Sequence, residues 1–147
     1  VIGSIRDPII IRQIDSWLES LKERLATRIR DAFGGLEVGK DCSIFFRVFG
    51  RNATMGALEP EDSLAHELCI FIEVTAGAPE LARSIADSCQ HLAVHHPVPE
   101  WNGLITSLAY PYSPAVLDRG AVYRFNLNHL VEPDTPYEMF PAELTAV

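Results

Sequence analysis

The sequence predicts an α+β domain of the ferredoxin-like kind, a two-layer sandwich in which an antiparallel sheet of four to five strands carries two helices on one face. Three observations predict it. Long apolar stripes at three- and four-residue steps alternate with short runs of β-branched and aromatic residues. The elements come in the order strand, helix, strand, strand, helix, strand, with one strand added at the end, which is the split βαβ pattern. The chain has 147 residues, 48% apolar and 22% charged, enough to bury one core of ordinary composition.

Val1 to Ile5 is short and β-branched and reads as the first strand. Asp7-Pro8 reads as a helix start, with Asp7 as N-cap and Pro8 at the first helical position. From there Ile10, Ile14, Trp17, Leu18, Leu21, Leu25, Ile29 and Phe33 form the stripe of one long amphipathic helix, closed by Gly34-Gly35. Cys42 to Phe49 reads as a strand with Ile44, Phe46 and Val48 on one face and Phe45, Arg47 and Phe49 on the other. Both faces are mostly apolar, so the strand is expected to be central or to be covered by another domain or subunit. A loop from Gly50 to Gly56 and an acidic linker, Glu59 to Asp62, lead to a strand over Glu67 to Thr75. Pro79 to His95 is the second helix, striped by Leu81, Ala82, Ile85, Cys89 and Leu92. Further strands are expected over Gly103 to Tyr110 and Ala121 to Leu130. The domain is taken to span 1–131, followed by an extended, Pro-rich acidic tail over 132–147.

A net charge of -8 argues against nucleic acid, whose binders need clustered Lys and Arg. No apolar run approaches the roughly 20 residues that span a bilayer, and the first residues lack the pattern of a signal peptide. A membrane partner is therefore not expected and a cytoplasmic setting is. Cys42, Cys69 and Cys89 lie far apart in apolar surroundings and read as buried thiols of a reducing compartment. The start at Val1 reads as that of an excised domain or a processed product.

Four segments could carry chemistry. Arg51 and Asn52, between glycines and close to Arg47, could converge on a carboxylate or phosphate, although a solvated hairpin loop would look the same. His91 and His95 share a helix face, with Asp87 one turn earlier and His96 beside them. They could hold a metal, or could simply complement the helix dipole, and no metal or cofactor is expected. Tyr110-Pro111-Tyr112-Ser113-Pro114 could grip a partner through Tyr110 and Tyr112, or only turn the chain. In Tyr123 to His129 the alternation sets Arg124, Asn126 and Asn128 on one side, which is either a polar binding surface or the wet side of a half-buried strand. No nucleophile motif occurs. Glu59, Glu61 and Glu67 with His66 could supply a base, but exposed carboxylates are common, and this domain alone is not expected to be catalytic.

Several segments, in their order, resemble one family. They are Arg6-Asp7-Pro8, Phe46-Arg47-Val48-Phe49-Gly50-Arg51-Asn52, Met55-Gly56-Ala57-Leu58-Glu59-Pro60 and His66-Glu67-Leu68, then Ala109-Tyr110-Pro111-Tyr112-Ser113-Pro114 and Val122-Tyr123-Arg124-Phe125-Asn126-Leu127-Asn128-His129-Leu130. Together they resemble the C-terminal part of the acyclic terpene utilisation family. The resemblance implies a ferredoxin-like domain behind a larger N-terminal domain, in proteins that degrade branched acids as coenzyme A thioesters. It supplies no catalytic residues to carry over. Ala53 stands where the family pattern expects Gly, and His95-His96-Pro97-Val98-Pro99 replaces a more Gly-rich turn.

Two expectations follow. In one, the domain is an accessory module that packs against the larger domain and forms a homo-oligomer, with Phe45, Phe49, Tyr110 and Tyr112 at interfaces. In the other, Arg47, Arg51, Asn52, Arg124 and Asn126 form an anion site for an acyl-CoA or carboxylate.

Overall fold

A computed structural model of the chain describes residues 1–100, 106–123, 125–126, 130, 132–135 and 144–145. Among them the order is β1 (Ile2–Ile5), α1 (Pro8–Arg12), α2 (Ile14–Ala32), β2 (Cys42–Phe49), a 3-10 turn (Gly56–Leu58), β3 (Leu68–Ala76) and α3 (Pro79–Val94). The three strands form an antiparallel sheet in the order β1-β3-β2. Consecutive strands β2 and β3 pair along eight positions, from Cys42 opposite Ala76 to Phe49 opposite Cys69.

The expected long helix is broken at Gln13. Asp7 caps its start as predicted, its Oδ1 accepting from the backbone N–H of Ile9 at 2.7 Å and of Ile10 at 3.3 Å. Six residues on, Gln13 leaves helical geometry (φ -113°, ψ 21°) and its N–H bonds back to Ile10 O in a tight turn. The side chain explains the bend, because Gln13 Nε2 donates to Pro99 O at 2.9 Å and ties the helix to the segment after α3. At the other end Gly34 and Gly35 take positive φ, and Gly35 N–H reaches Arg30 O at 2.9 Å, the closure that the glycine pair predicts.

The core lies between the sheet and the helices. Ile10, Ile14, Trp17, Leu21, Leu25 and Ile29 from α1 and α2 join Ile85 and Cys89 of α3 against Ile5, Val48, Leu68, Ile70 and Ile72 of the sheet. A single cluster holding residues of all three helices and all three strands requires the helices to cover the same sheet face. Alternation along the strands leaves Ser43, Phe45, Arg47, Phe49, Phe71 and Glu73 on the other face.

The two late strands differ from expectation. Residues 106–110 contribute one isolated bridge, Ala109 with Ser4 on the outer side of β1, with both N–H groups bonded at 2.9 Å. In this register Pro111, which has no N–H to donate, falls opposite Ile2, and Ser107 falls opposite Arg6, past the end of β1. Ser107 N–H donates to Val94 O at 2.8 Å and its Oγ to Ala93 O at 2.8 Å, so it serves the carbonyl end of α3 instead of a strand. Residues 121–123, 125–126 and 130 are in no strand and exposed. The rest of the two expected strands, residues 103–105, Arg124 and 127–129, lies outside the described residues, as does most of the 132–147 tail.

Candidate functional site

The loop after β2 begins with a position that only glycine fits. Gly50 has φ +89°, and a Cβ there would sit 3.0 Å from Glu67 O and 3.1 Å from a Leu68 methyl. The tight passage delivers Arg51 beside the start of α2, where its Nη2 lies 3.0 Å from Asp15 Oδ2 and its Nη1 2.5 Å from Asp62 Oδ1. The hydrogen bond to Asp62, and then the charge of Asp15, raise the guanidinium pKa further. Both carboxylates are themselves exposed, so the two ion pairs are solvent-screened, but any anion at Arg51 would compete with them. The adjoining hollow, about 260 Å³, is lined by Glu59 and Glu61 as well as Arg51.

Arg47 is engaged in the same way. Its Nε donates to Glu73 Oε1 across the β2–β3 ladder at 2.8 Å, and its guanidinium lies 4.8 Å from the centre of the Phe45 ring. Asn52 is exposed, and its backbone carbonyl accepts from Gly56 N–H at 2.8 Å. Asn126 is exposed and outside any strand, and Arg124 lies outside the described residues. Among the described candidates, then, the arginines sit against carboxylates of their own chain and do not converge with the asparagines.

The aromatic candidates divide. Phe45 is 54% and Phe49 41% exposed on the sheet face away from the helices, and Phe49 stands edge-on to Phe71 at 5.2 Å. Tyr112 is also exposed. Tyr110 is placed against the chain's own core, with its OH donating to Gln90 O at 2.7 Å and burial pushing its pKa up to about 12.

The histidines separate too. His91 is exposed at an open groove of about 660 Å³ between α2 and α3, where Arg24 and Arg28 are offset by Glu23 and Asp31. His96, by contrast, is 4% exposed. Its ring meets Trp17 edge-on at 5.7 Å, its carbonyl accepts from Trp17 Nε1 at 3.0 Å, and its Nε2 lies 2.7 Å from Ser20 Oγ. Nδ1 is buried without a hydrogen-bond partner. Ser20 Oγ also lies 2.9 Å from Ser16 O, so its single proton has a carbonyl to serve. The cheapest arrangement therefore puts the ring proton on Nε2, donating to Ser20, and leaves an idle lone pair at Nδ1 rather than an orphaned N–H. In that tautomer Nε2 donates to Ser20 Oγ and does not accept its proton. Burial, with Arg24 nearby, lowers the His96 pKa to about 4.

Among the described residues no group of three or more His, Cys, Asp or Glu side chains is placed to hold a metal ion. Cys42 and Cys89 are buried and Cys69 half-buried, and burial raises each thiol, Cys89 to about 12, which keeps them protonated. Among the described residues no helix is long and apolar enough to cross a membrane.

Sequence reading missed the Ser20–His96–Trp17 network and the role of Asp15 and Asp62. One signal was available for the first, since an indole on a buried stripe must find an acceptor for its N–H. The acidic partners of Arg51 carried no signal, being 36 residues before it and 11 after. No protein-family model, no curated protein and no solved structure matches the chain.

Proposed function

We propose that this chain is an accessory module that assembles with further copies of itself and is not catalytic alone, attached to a larger N-terminal domain in a protein similar to the acyclic terpene utilisation family. The observation that carries the reading is the outer layer of the sheet, where Phe45 and Phe49 stand exposed beside an internally neutralised Arg47–Glu73 pair. A strand with apolar residues on both faces at the margin of a sheet is a costly surface to leave in water. The engagement of Arg47 and Arg51 with carboxylates weighs in the same direction, because an acyl-CoA phosphate at Arg51 would first have to displace Asp62 or Asp15.

The fold proposed is ferredoxin-like with a reduced fourth strand. The order β1-β3-β2, with Ala109 outside β1, matches the split βαβ arrangement if the last strand is shortened to one bridge. Size-exclusion chromatography with light scattering, over protein concentrations from about 5 to about 500 μM, tests the assembly. A dimer or larger species should be populated in the upper part of that range, and a monomer throughout would overturn the reading.

A further inference from the structure

The backbone of β2 defines where a second copy would attach. Val1 and Ile72 exchange both hydrogen bonds, Val1 N to Ile72 O at 2.8 Å and Ile72 N to Val1 O at 2.9 Å. In an antiparallel ladder the backbone groups of successive residues point to alternate sides. Ile72 therefore faces β1, and Phe71 and Glu73 face β2, where their partners are Arg47 and Phe45. It follows that Cys42, Ile44, Phe46 and Val48 turn their N–H and C=O groups outward, to the margin of the sheet. The neighbouring loops agree with this parity, since Cys42 O accepts from Gly39 N at 2.7 Å and Val48 O from Arg51 N and Ala53 N at 3.2 Å.

Those loop contacts occupy the outward carbonyls at both ends of the strand. Between them remain the N–H and C=O of Ile44 and of Phe46, and among the described residues the isolated parallel bridge of Val38 with Cys42 is the one pairing beyond β2. This is a window of two donors and two acceptors centred on Phe45. Phe45 is the exposed ring, while Ile44 and Phe46 on the helix side are only partly buried.

We propose that two copies of this chain join antiparallel at this window, about a two-fold axis at Phe45, making one continuous sheet. The inference rests on the assembly reading above and deepens it by naming the contact. Three features favour a second copy over an unrelated strand. Two-fold pairing sets Ile44 opposite the other Phe46, so that each open N–H meets an open C=O and none is left over. It also sets Phe45 against the other Phe45 as the close, non-hydrogen-bonded pair, burying the exposed ring. Finally, it places Arg47 opposite Ser43, so the one charged residue of the strand never faces itself and keeps its own Glu73. No proline or inward charge blunts the edge, as is usual for a strand meant to stay unpaired.

The test uses the whole chain and cysteine pairing. Close antiparallel partners have Cα atoms about 4.5 Å apart, within reach of a disulfide. With Cys69→Ser as background, Phe45→Cys should oxidise to a covalent dimer, whereas Leu58→Cys, more exposed but off the strand, should not. In parallel, Phe45→Lys should convert the dimer to monomer by light scattering, with an unchanged circular dichroism spectrum to show that the fold survives. A wild-type monomer at every concentration would sink both the assembly reading and this contact. A wild-type dimer that survives Phe45→Lys, with no disulfide from Phe45→Cys, would leave assembly standing and overturn the edge contact alone; pairing with a different protein would show as that same wild-type monomer.

Discussion

His96 is a pH-sensitive side chain of the fold. Its ring is sealed between Trp17, Ser20 and the end of α3, with Arg24 the charge that bears on it, and no carboxylate is paired with Nδ1. The folded state therefore holds a neutral imidazole, with a pKa lowered from 6.5 to about 4. Because the unfolded chain binds the proton first, the stability from neutral His96 is fully present above about pH 6.5. It is lost progressively as pH falls toward 4. The gap corresponds to about 3 kcal/mol at most, taking about 1.4 kcal/mol per pKa unit. Urea unfolding at pH 7.5, 5.5 and 4.5 should show this decline. In His96→Gln, which cannot titrate, the curve between pH 6.5 and 4.5 should flatten even though the protein starts less stable. An equal slope in the variant would assign the pH dependence to other groups.

At the scale of elements, what the sequence displays is whatever repeats or sits next to its partner. β2 is legible over its full length because alternation from Cys42 to Phe49 is a local property of a pleated strand. The cap at Asp7 and the closure at Gly34-Gly35 are legible because each acts within one helical turn. The break at Gln13 is not, since its cause is a hydrogen bond to Pro99, 86 residues away, while the apolar stripe runs straight through it. The segment over 106–110 misleads for a similar reason. Its residues suit a strand, but Ser107 is held by the end of α3, and only Ala109 reaches β1. The candidate site follows the same rule. The arginines beside the glycine loop are legible, whereas the carboxylates that folding brings to them, Asp15, Asp62 and Glu73, are not. Ser107→Ala should thus cost about 1 kcal/mol, the value of a buried hydrogen bond to a helix carbonyl, since the backbone N–H still serves Val94 O. Hydrogen exchange should speed up at Ala109 more than at Ile72, because loosening this segment frees the bridge to Ser4 before it reaches the sheet centre.

For the whole molecule, the deciding quantity is a net charge of -8 on a chain that carries a locally neutral apolar edge. In the proposed contact, two such molecules repel at long range and attract where Ile44, Phe45 and Phe46 meet. Salt shortens the repulsion, from a screening length of about 30 Å at 0.01 M to about 10 Å at 0.1 M, and leaves apolar burial and backbone pairing nearly untouched. Self-association through β2 should therefore strengthen with added sodium chloride, its dissociation constant falling at least severalfold between those concentrations. An anion held by Arg51 would respond with the opposite sign, because salt competes for a guanidinium that already serves two carboxylates. Sedimentation equilibrium at the two ionic strengths reads the first, and calorimetric titration with a coenzyme A thioester at the same two reads the second. Association that weakens with salt would mean that charged contacts, not the aromatic edge, hold the copies together, and would move the interface away from Phe45.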